Sequence, residues 1–336
     1  MMKNDFTRRQ FIETLMGGLM LWPAACQFQP SNNGLIPTRL MGKTGKRISM
    51  IGFGGWDLGF IDENLAINMI HSGVDQGVTF IDNAWEYNGG RSEEVVGKAI
   101  TSGKLRDKVF LMSKVCARDY EGAKQHLEDG LKRMQTDHID LVMLHSIQYD
   151  GDRERVFDPD NGAVKALLEA RKEGKLKYIG FSGHRDPQIH LDMLAMPFEW
   201  DAVLLPLNIM DAHYNSFQKR VLPELLSRQI APLGMKSLVG NFNRISQRVN
   251  ISAELCRRYA MSLPVSTLVC GWQNMDEMQL CIDIARDFEP LTESKIEELL
   301  VTSENSAADG TAELYKDSRS GYGCSHHSRI LQAEQG

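Results

Sequence analysis

The chain has 336 residues, 42% of them apolar and 24% charged, with 38 basic side chains against 44 acidic ones and a formal net charge of −6. That length and balance suit one large α/β domain or two medium ones in an ordinary globule. The mild acidity, with no basic stripe interleaved with aromatics, leaves no surface for nucleic acid.

Residues 1–26 read as a segment apart from the fold. Thr7-Arg8-Arg9-Gln10-Phe11-Ile12 precedes a short apolar run ending at Trp22, and Pro23-Ala24-Ala25-Cys26 follows. A charged start, a run too short to span a bilayer and small residues beyond it make a secretory signal. The Arg pair ahead of Phe11 resembles a twin-arginine signal, so an exported, periplasmic protein handled by the twin-arginine machinery is expected. Ala25-Cys26 also suggests a lipoprotein cleavage box, although Pro23 stands where Leu is usual. Membrane attachment is expected only if Cys26 is acylated. Residues 27–37 read as a linker.

From residue 38 onward, strand-like apolar runs alternate with segments of helical period. The runs lie at about 47–53, 79–84, 109–115, 139–145, 177–182, 202–208, 230–237 and 265–270. The helical segments lie at about 63–75, 92–101, 120–134, 163–174, 187–195, 218–228, 251–262 and 275–287. Gly77 and Gly174 follow two of these helices, where a left-handed cap is cheap. Glu128 and Lys132 are spaced as an exposed i,i+4 pair.

Eight strands alternating with eight helices imply a parallel sheet, and eight is the number that closes a barrel, so 38–305 reads as a (β/α)8 TIM barrel. A doubly wound open sheet would want a G-x-G-x-x-G turn after its first strand. Ile51-Gly52-Phe53-Gly54-Gly55 has the glycines without that spacing. One more amphipathic helix follows at 291–304, and 306–336 reads as an irregular tail. In that tail Cys324, His326 and His327 could ligate a metal, yet no partners stand at ligand spacing elsewhere, so no metal is expected. Cys116, Cys270 and Cys281 lie in apolar runs and read as buried small hydrophobes.

Three of the strand runs end in an ionisable residue. Asp82 ends the second, Lys114 the third and His145 the fourth, and Tyr87 lies in the loop after Asp82. In a parallel barrel such positions face the rim where active sites form. Each has a bland explanation alone: a helix cap, a packing ring, a solvated ammonium. Together they make a proton-transfer device. Tyr87 would exchange the proton, the Lys114 ammonium would lower its pKa, Asp82 would hold Lys114, and neutral His145 would hydrogen-bond a substrate oxygen. The complementary step is hydride transfer, which side chains cannot perform, so a nicotinamide is implied.

The stretch from Gly77 through Asp82-Asn-Ala-Trp-Glu-Tyr87-Asn-Gly-Gly-Arg-Ser92-Glu93 to Gly97 resembles the signature of the aldo-keto reductase superfamily. So does Leu131-Lys-Arg-Met-Gln-Thr-Asp137-His-Ile-Asp140-Leu-Val-Met-Leu-His145. The resemblance runs from about residue 38 to 300. It implies a (β/α)8 barrel holding an extended NAD or NADP, with Asp82, Tyr87, Lys114 and His145 on the family's catalytic tetrad. The resemblance also marks departures. Ser182-Gly183 replaces a Ser-Asn pair that grips the carboxamide, Leu204 stands for a Gln, and Met235-Lys236 stands for a Tyr that stacks on the nicotinamide. The cofactor contacts it leaves are Ser182, Gly183, Met235, Lys236, Ser237, Leu238, Gly271 and Gln273. No Lys or Arg occurs from 265 to 285 to meet a 2′-phosphate, and Asp276 and Glu277 open the next helix, which leans the reading away from NADP.

The function expected is a nicotinamide-dependent oxidoreductase acting on a small carbonyl, alcohol or sugar, lined by Trp56, Trp85, Tyr149, Asn208 and Trp272. Export implies a tightly retained cofactor, which would also suit a sugar epimerase or lyase that oxidises transiently. The alternative is a non-enzymatic dinucleotide-binding barrel that regulates a partner.

Overall fold

The apolar runs become strands in a computed structural model that describes residues 28–29, 34–239, 245–317, 323–324 and 326. The expected signal at 1–26, with Cys26, lies outside the described residues, as does His327. Two short strands come first, β1 (Thr38–Leu40) and β2 (Arg47–Ser49). Eight more follow: β3 (Ile51–Gly54), β4 (Phe80–Asp82), β5 (Phe110–Val115), β6 (Ile139–Leu144), β7 (Leu176–Ser182), β8 (Ala202–Pro206), β9 (Ala231–Met235) and β10 (Thr267–Cys270). β3 to β10 pair in chain order, all parallel, and β10 pairs with both β9 and β3, which closes the barrel. The expected (β/α)8 architecture is what the chain forms.

Alternation along a strand decides which side chains face inward. Phe110 and Met112 of β5, Leu141 and Met143 of β6, and Leu204 and Leu233 of β8 and β9 belong to one inner cluster. Phe80 stacks on Phe110 at 5.6 Å, and Phe110 on Tyr178 at 6.1 Å, filling the amino-terminal half of the barrel with rings. The same period carries Lys114 and His145 onto the inner face at the opposite mouth. The second, larger cluster lies between the strands and the helices and includes Phe53, Ile81, Leu111, Val142 and Phe181.

The run at 47–53 is two strands rather than one. β2 pairs antiparallel with β1, and Met41 and Ile48 of this hairpin are fully buried in the inner cluster, plugging the amino-terminal mouth. The break follows from Ser49. Its hydroxyl accepts the amide N–H groups of Thr79 at 2.9 Å and Phe80 at 3.0 Å, and donates to the Ile51 carbonyl at 2.6 Å. A side chain thus replaces ladder partners at the corner. Arg39, fully buried, donates to the carbonyls of Met261 at 2.8 Å and Val265 at 2.9 Å. It ties the plug to the end of helix Ala253–Ser262, where orphan carbonyls favour a cation.

Side-chain caps start several helices: Asp62 accepts from Leu65 N–H at 3.0 Å, Asp119 from Gly122 at 2.8 Å and Asn274 from Glu277 at 2.9 Å. Gly77 and Gly174 adopt φ of 98° and 79°, as expected of left-handed caps. Glu128 pairs with Lys175 at 2.7 Å rather than with Lys132, because the loop after helix Ala163–Lys172 brings that ammonium across. Helix 218–228 breaks into Phe217–Arg220 and Leu222–Ser227 just before Pro223. Among the described residues no helix is long and apolar enough to cross a membrane.

Candidate active site

The strand register delivers the four rim residues to one point. Asp82 closes β4, Lys114 is next to last in β5, and His145 follows the end of β6. The Lys114 ammonium bonds a carboxylate oxygen of Asp82, the Asn83 carbonyl at 2.7 Å and the Tyr87 hydroxyl at 3.0 Å. It also lies 4.5 Å from the centre of the Tyr87 ring. The His145 imidazole stands edge-on to Tyr87 at 5.6 Å, and the exposed Trp56 ring covers the other side at 5.6 Å. Tyr87 can project inward because Asn88, Gly89 and Gly90 take φ of 52°, 67° and 95°, a left-handed run that turns the chain back.

Burial sets the protonation states. Lys114 is 1% exposed and Asp82 3%. Burial raises the Asp82 carboxyl while Lys114 pulls it down. Burial first, and then the cations of Lys114 and Arg118, hold His145 well below its ordinary range, so its ring is neutral. Tyr87 departs from expectation. Burial, followed by the negative charges of Asp82 and Glu86, holds the phenol well above its ordinary value, although Lys114 is in contact. Desolvation and two carboxylates outweigh one ammonium, so the hydroxyl stays protonated in this arrangement.

Arg118, unmarked in the sequence, holds the rim loops together. It pairs in bidentate fashion with Asp152 at 2.9 and 3.1 Å and donates to the carbonyls of Cys116, His145 and Ser146, each at 2.9 Å. Asp152 in turn accepts the N–H groups of Gln148 at 2.9 Å and Tyr149 at 3.0 Å. Only folding brings the two together, so no sequence signal points to them.

The expected cofactor residues ring the same mouth. The Ser182 hydroxyl donates to Leu144 O at 3.3 Å and accepts Ser146 N–H at 3.1 Å. Gly183 has no room for a side chain, since a Cβ would lie 2.5 Å from Ile147 O. Met235 closes β9, and Lys236, at φ 58°, lies 5.1 Å from the Tyr315 ring. Ser237 is buried and Leu238 half-buried beyond it. Gly271 faces Asp57, whose carboxylate oxygen would be 2.0 Å from an added Cβ, and Gln273 N–H donates to Glu277 at 3.0 Å.

The expected substrate residues divide. Trp56 lies over Tyr87, and Tyr149 lies at the mouth beside Gly323. Trp85 instead stacks on His126 at 3.6 Å and donates to Asp129 at 2.9 Å. Trp272 is buried against Phe53 at 5.1 Å. Asn208 is fully buried and committed to the tail, donating to Glu313 at 3.2 Å and to the Tyr315 hydroxyl at 3.0 Å.

The tail is held by a buried ion cluster. The Lys316 ammonium bonds Asp211 at 2.7 Å, Glu313 at 2.5 Å and the Tyr214 carbonyl at 2.8 Å. Burial and the Asp211 charge push the Glu313 carboxyl up to about 7. Beyond this anchor, Cys324 reaches the rim. Cys116, expected to be an inert hydrophobe, is buried but places its sulfur 3.3 Å from His145 Nδ1, and Glu86 lies 3.4 Å from the same nitrogen.

Comparison with known proteins places this geometry. A profile of the aldo/keto reductase family matches residues 50–242, more than half of the chain. The aldo-keto reductase YhdN of Bacillus subtilis strain 168 is 31% identical over 215 residues, covering 58% of this chain and 60% of that protein. The chain spans about half the length of other curated relatives it matches. The holo form of aldo-keto reductase AKR11C1 from Bacillus halodurans superposes with a TM-score of 0.67 at 22% identity, covering 83% of this chain and 99% of that one. An aldo/keto reductase from Klebsiella pneumoniae in complex with NADP and acetate superposes at 0.65 with 20% identity, covering 80% and 94%. At those identities the two structures speak for the fold.

Proposed function

The chain belongs to the aldo/keto reductase family, and from that premise we propose that it is an oxidoreductase interconverting a carbonyl and an alcohol on a small molecule or sugar, with a nicotinamide dinucleotide as hydride partner. The observation that carries this reading is the Lys114 ammonium, bonded at once to Asp82 and to the Tyr87 hydroxyl, beside the His145 ring.

The residues at the mouth suit the cofactor. Among the described residues the buried Ser146 hydroxyl has no hydrogen-bond partner, and its own N–H bonds the Ser182 hydroxyl. A primary carboxamide, which both donates and accepts, fits that pair. Burial pushes Lys236 down to about 8, so it is still charged at neutral pH and would meet a pyrophosphate with Ser237. The Glu277 carboxylate already takes Gln273 N–H at the entry of helix Met275–Arg286. A 2′-phosphate there would face a like charge, which favours NAD over NADP.

A bound nicotinamide supplies or accepts the hydride. The chain's own groups handle the proton. In reduction the Tyr87 hydroxyl donates to the substrate oxygen, and its raised pKa keeps the proton in place until that oxygen turns basic. Lys114, 3.0 Å away, stabilises the phenolate left behind, and Asp82 holds Lys114. Neutral His145 donates a hydrogen bond to the same oxygen. Trp56 offers an apolar wall.

Export remains part of the proposal, resting on the pattern in 1–26. It carries the retained cofactor with it, since free dinucleotide is expected to be scarce outside the cytoplasm. A retained NAD recycled within one turnover would also serve epimerisation or elimination on a sugar. The test is consumption of reduced dinucleotide with a carbonyl panel. Tyr87→Phe should lower kcat by about 100- to 10,000-fold while leaving dinucleotide binding intact. Undiminished turnover in that variant removes the assigned role, and no turnover in the wild type favours the regulatory barrel.

A further inference from the structure

One cluster at the rim is not accounted for by proton transfer. Ligand atoms of Glu86, Cys116, His145 and Cys324 all lie within 4.8 Å of one another. They come from the loop after β4, the end of β5, the end of β6 and the carboxy-terminal tail, so nothing local forces them together. Cys116 and Cys324 are fully buried, and the Glu86 side chain is 9% exposed.

We propose that these four side chains bind one divalent transition-metal ion of the zinc class, and that the ion clasps the tail across the mouth of the barrel. A tetrahedral ion with N, S and O ligands at about 2.0–2.3 Å holds its donors roughly 3.3–3.8 Å apart. Cys116 Sγ and Glu86 Oε1 lie 3.3 and 3.4 Å from His145 Nδ1, already at that spacing. Two thiolates, one imidazole and one carboxylate suit zinc, cobalt or ferrous iron, whereas calcium and magnesium want oxygen alone. The charge is also suitable. Two thiolates and a carboxylate around a divalent ion leave one negative charge, beside the ammonium of Lys114 and the guanidinium of Arg118.

The surroundings hold the ligands in position as outer partners of a metal do. Arg118 donates to the carbonyls of both Cys116 and His145 at 2.9 Å, and Asp152 fixes Arg118. On the tail, Gly323 packs so closely that an added Cβ would lie 2.0 Å from Gln148 Nε2, which sets the approach of Cys324. Coordination through Nδ1 leaves the opposite imidazole nitrogen free. A Cys116–Cys324 disulfide would account for the two sulfurs but not for a carboxylate and an imidazole converging on them.

The full-length protein, reduced and loaded with Co2+ and then freed of excess ion, tests this. An equimolar amount of cobalt should remain, with the visible bands of a tetrahedral ion and a thiolate charge-transfer band in the near ultraviolet. Cys324→Ser and Cys116→Ser should each weaken cobalt binding at least about 100-fold and remove that band. Cys281→Ser changes a buried thiol elsewhere and should leave both unchanged. Cobalt bound without the charge-transfer band, binding unaffected by either rim substitution, or a Cys116–Cys324 disulfide in metal-free protein as isolated would each overturn the proposal. Metal content is read without turnover, so its failure is distinct from failure of the reductase reading.

Discussion

At the scale of single residues, environment outranks the nearest neighbour. Lys114 touches the Tyr87 hydroxyl, yet burial and the carboxylates of Asp82 and Glu86 keep the phenol protonated. Neither Glu86 nor the burial could be weighed from residue order. Arg118 teaches the same lesson about stability. Its partner Asp152 is 1% exposed, so Arg118→Met would strand a buried carboxylate and release three rim carbonyls. We expect a loss of about 3–5 kcal/mol in urea unfolding, the usual cost of breaking a buried pair from one side. A loss below about 1 kcal/mol would mean that water reaches Asp152. The double replacement Arg118→Met with Asp152→Leu should recover part of the loss.

At the scale of elements, charge pairing fixes what the residue pattern leaves unspecified, as the described start of the tail after helix Glu293–Ala307 shows. Its 3-10 turn Leu314–Lys316 is fastened by Asp211, Glu313 and Lys316, all at most 1% exposed in their side chains, and by Asn208. Hydrophobic period carries no trace of such an anchor, because it is made of charges matched across a hundred residues of chain. Lys316→Met should remove hydrogen-exchange protection from about 312–317 while the far-ultraviolet circular dichroism of the barrel stays unchanged. Protection kept at wild-type level would show that Tyr315 packing alone holds the turn. The hairpin of β1 and β2 is a similar case. Its apolar residues were visible, but their use as a plug for the barrel mouth depends on the ring of strands being closed.

At the scale of the whole molecule, the layer between barrel and helices is dry enough to keep a histidine neutral. His190 is fully buried against Phe181 at 5.2 Å and Phe217 at 4.9 Å. Burial lowers its pKa to about 3, with Asp186 pulling the other way. An unfolded His titrates near 6.5. Above that pH neither state holds the proton and the contribution to stability is complete. As pH falls below 6.5 the unfolded chain gains a proton that the fold refuses, and stability drops by up to about 1.4 kcal/mol per unit until the folded pKa is reached. Between pH 6.5 and 5 the loss from this residue should be about 2 kcal/mol in urea midpoints. His190→Leu should shrink that pH dependence by the same amount, and an unchanged slope would place the acid sensitivity elsewhere.

The amino-acid sequence by itself determined the alternation of strands and helices, hence the eight-stranded barrel, and it marked Asp82, Tyr87, Lys114 and His145. These are legible because strand period, helix period and strand-end position are local properties, each written within some ten to twenty residues. Tertiary structure alone decided the rest. It joined Arg118 to Asp152, sent Asn208 to the tail instead of the substrate space, turned Trp85 toward His126, and brought Cys324 to Cys116 and Glu86. Those contacts depend on distances across the closed barrel and on how much water remains at its mouth. Neither quantity exists until the strands have closed and the tail has docked.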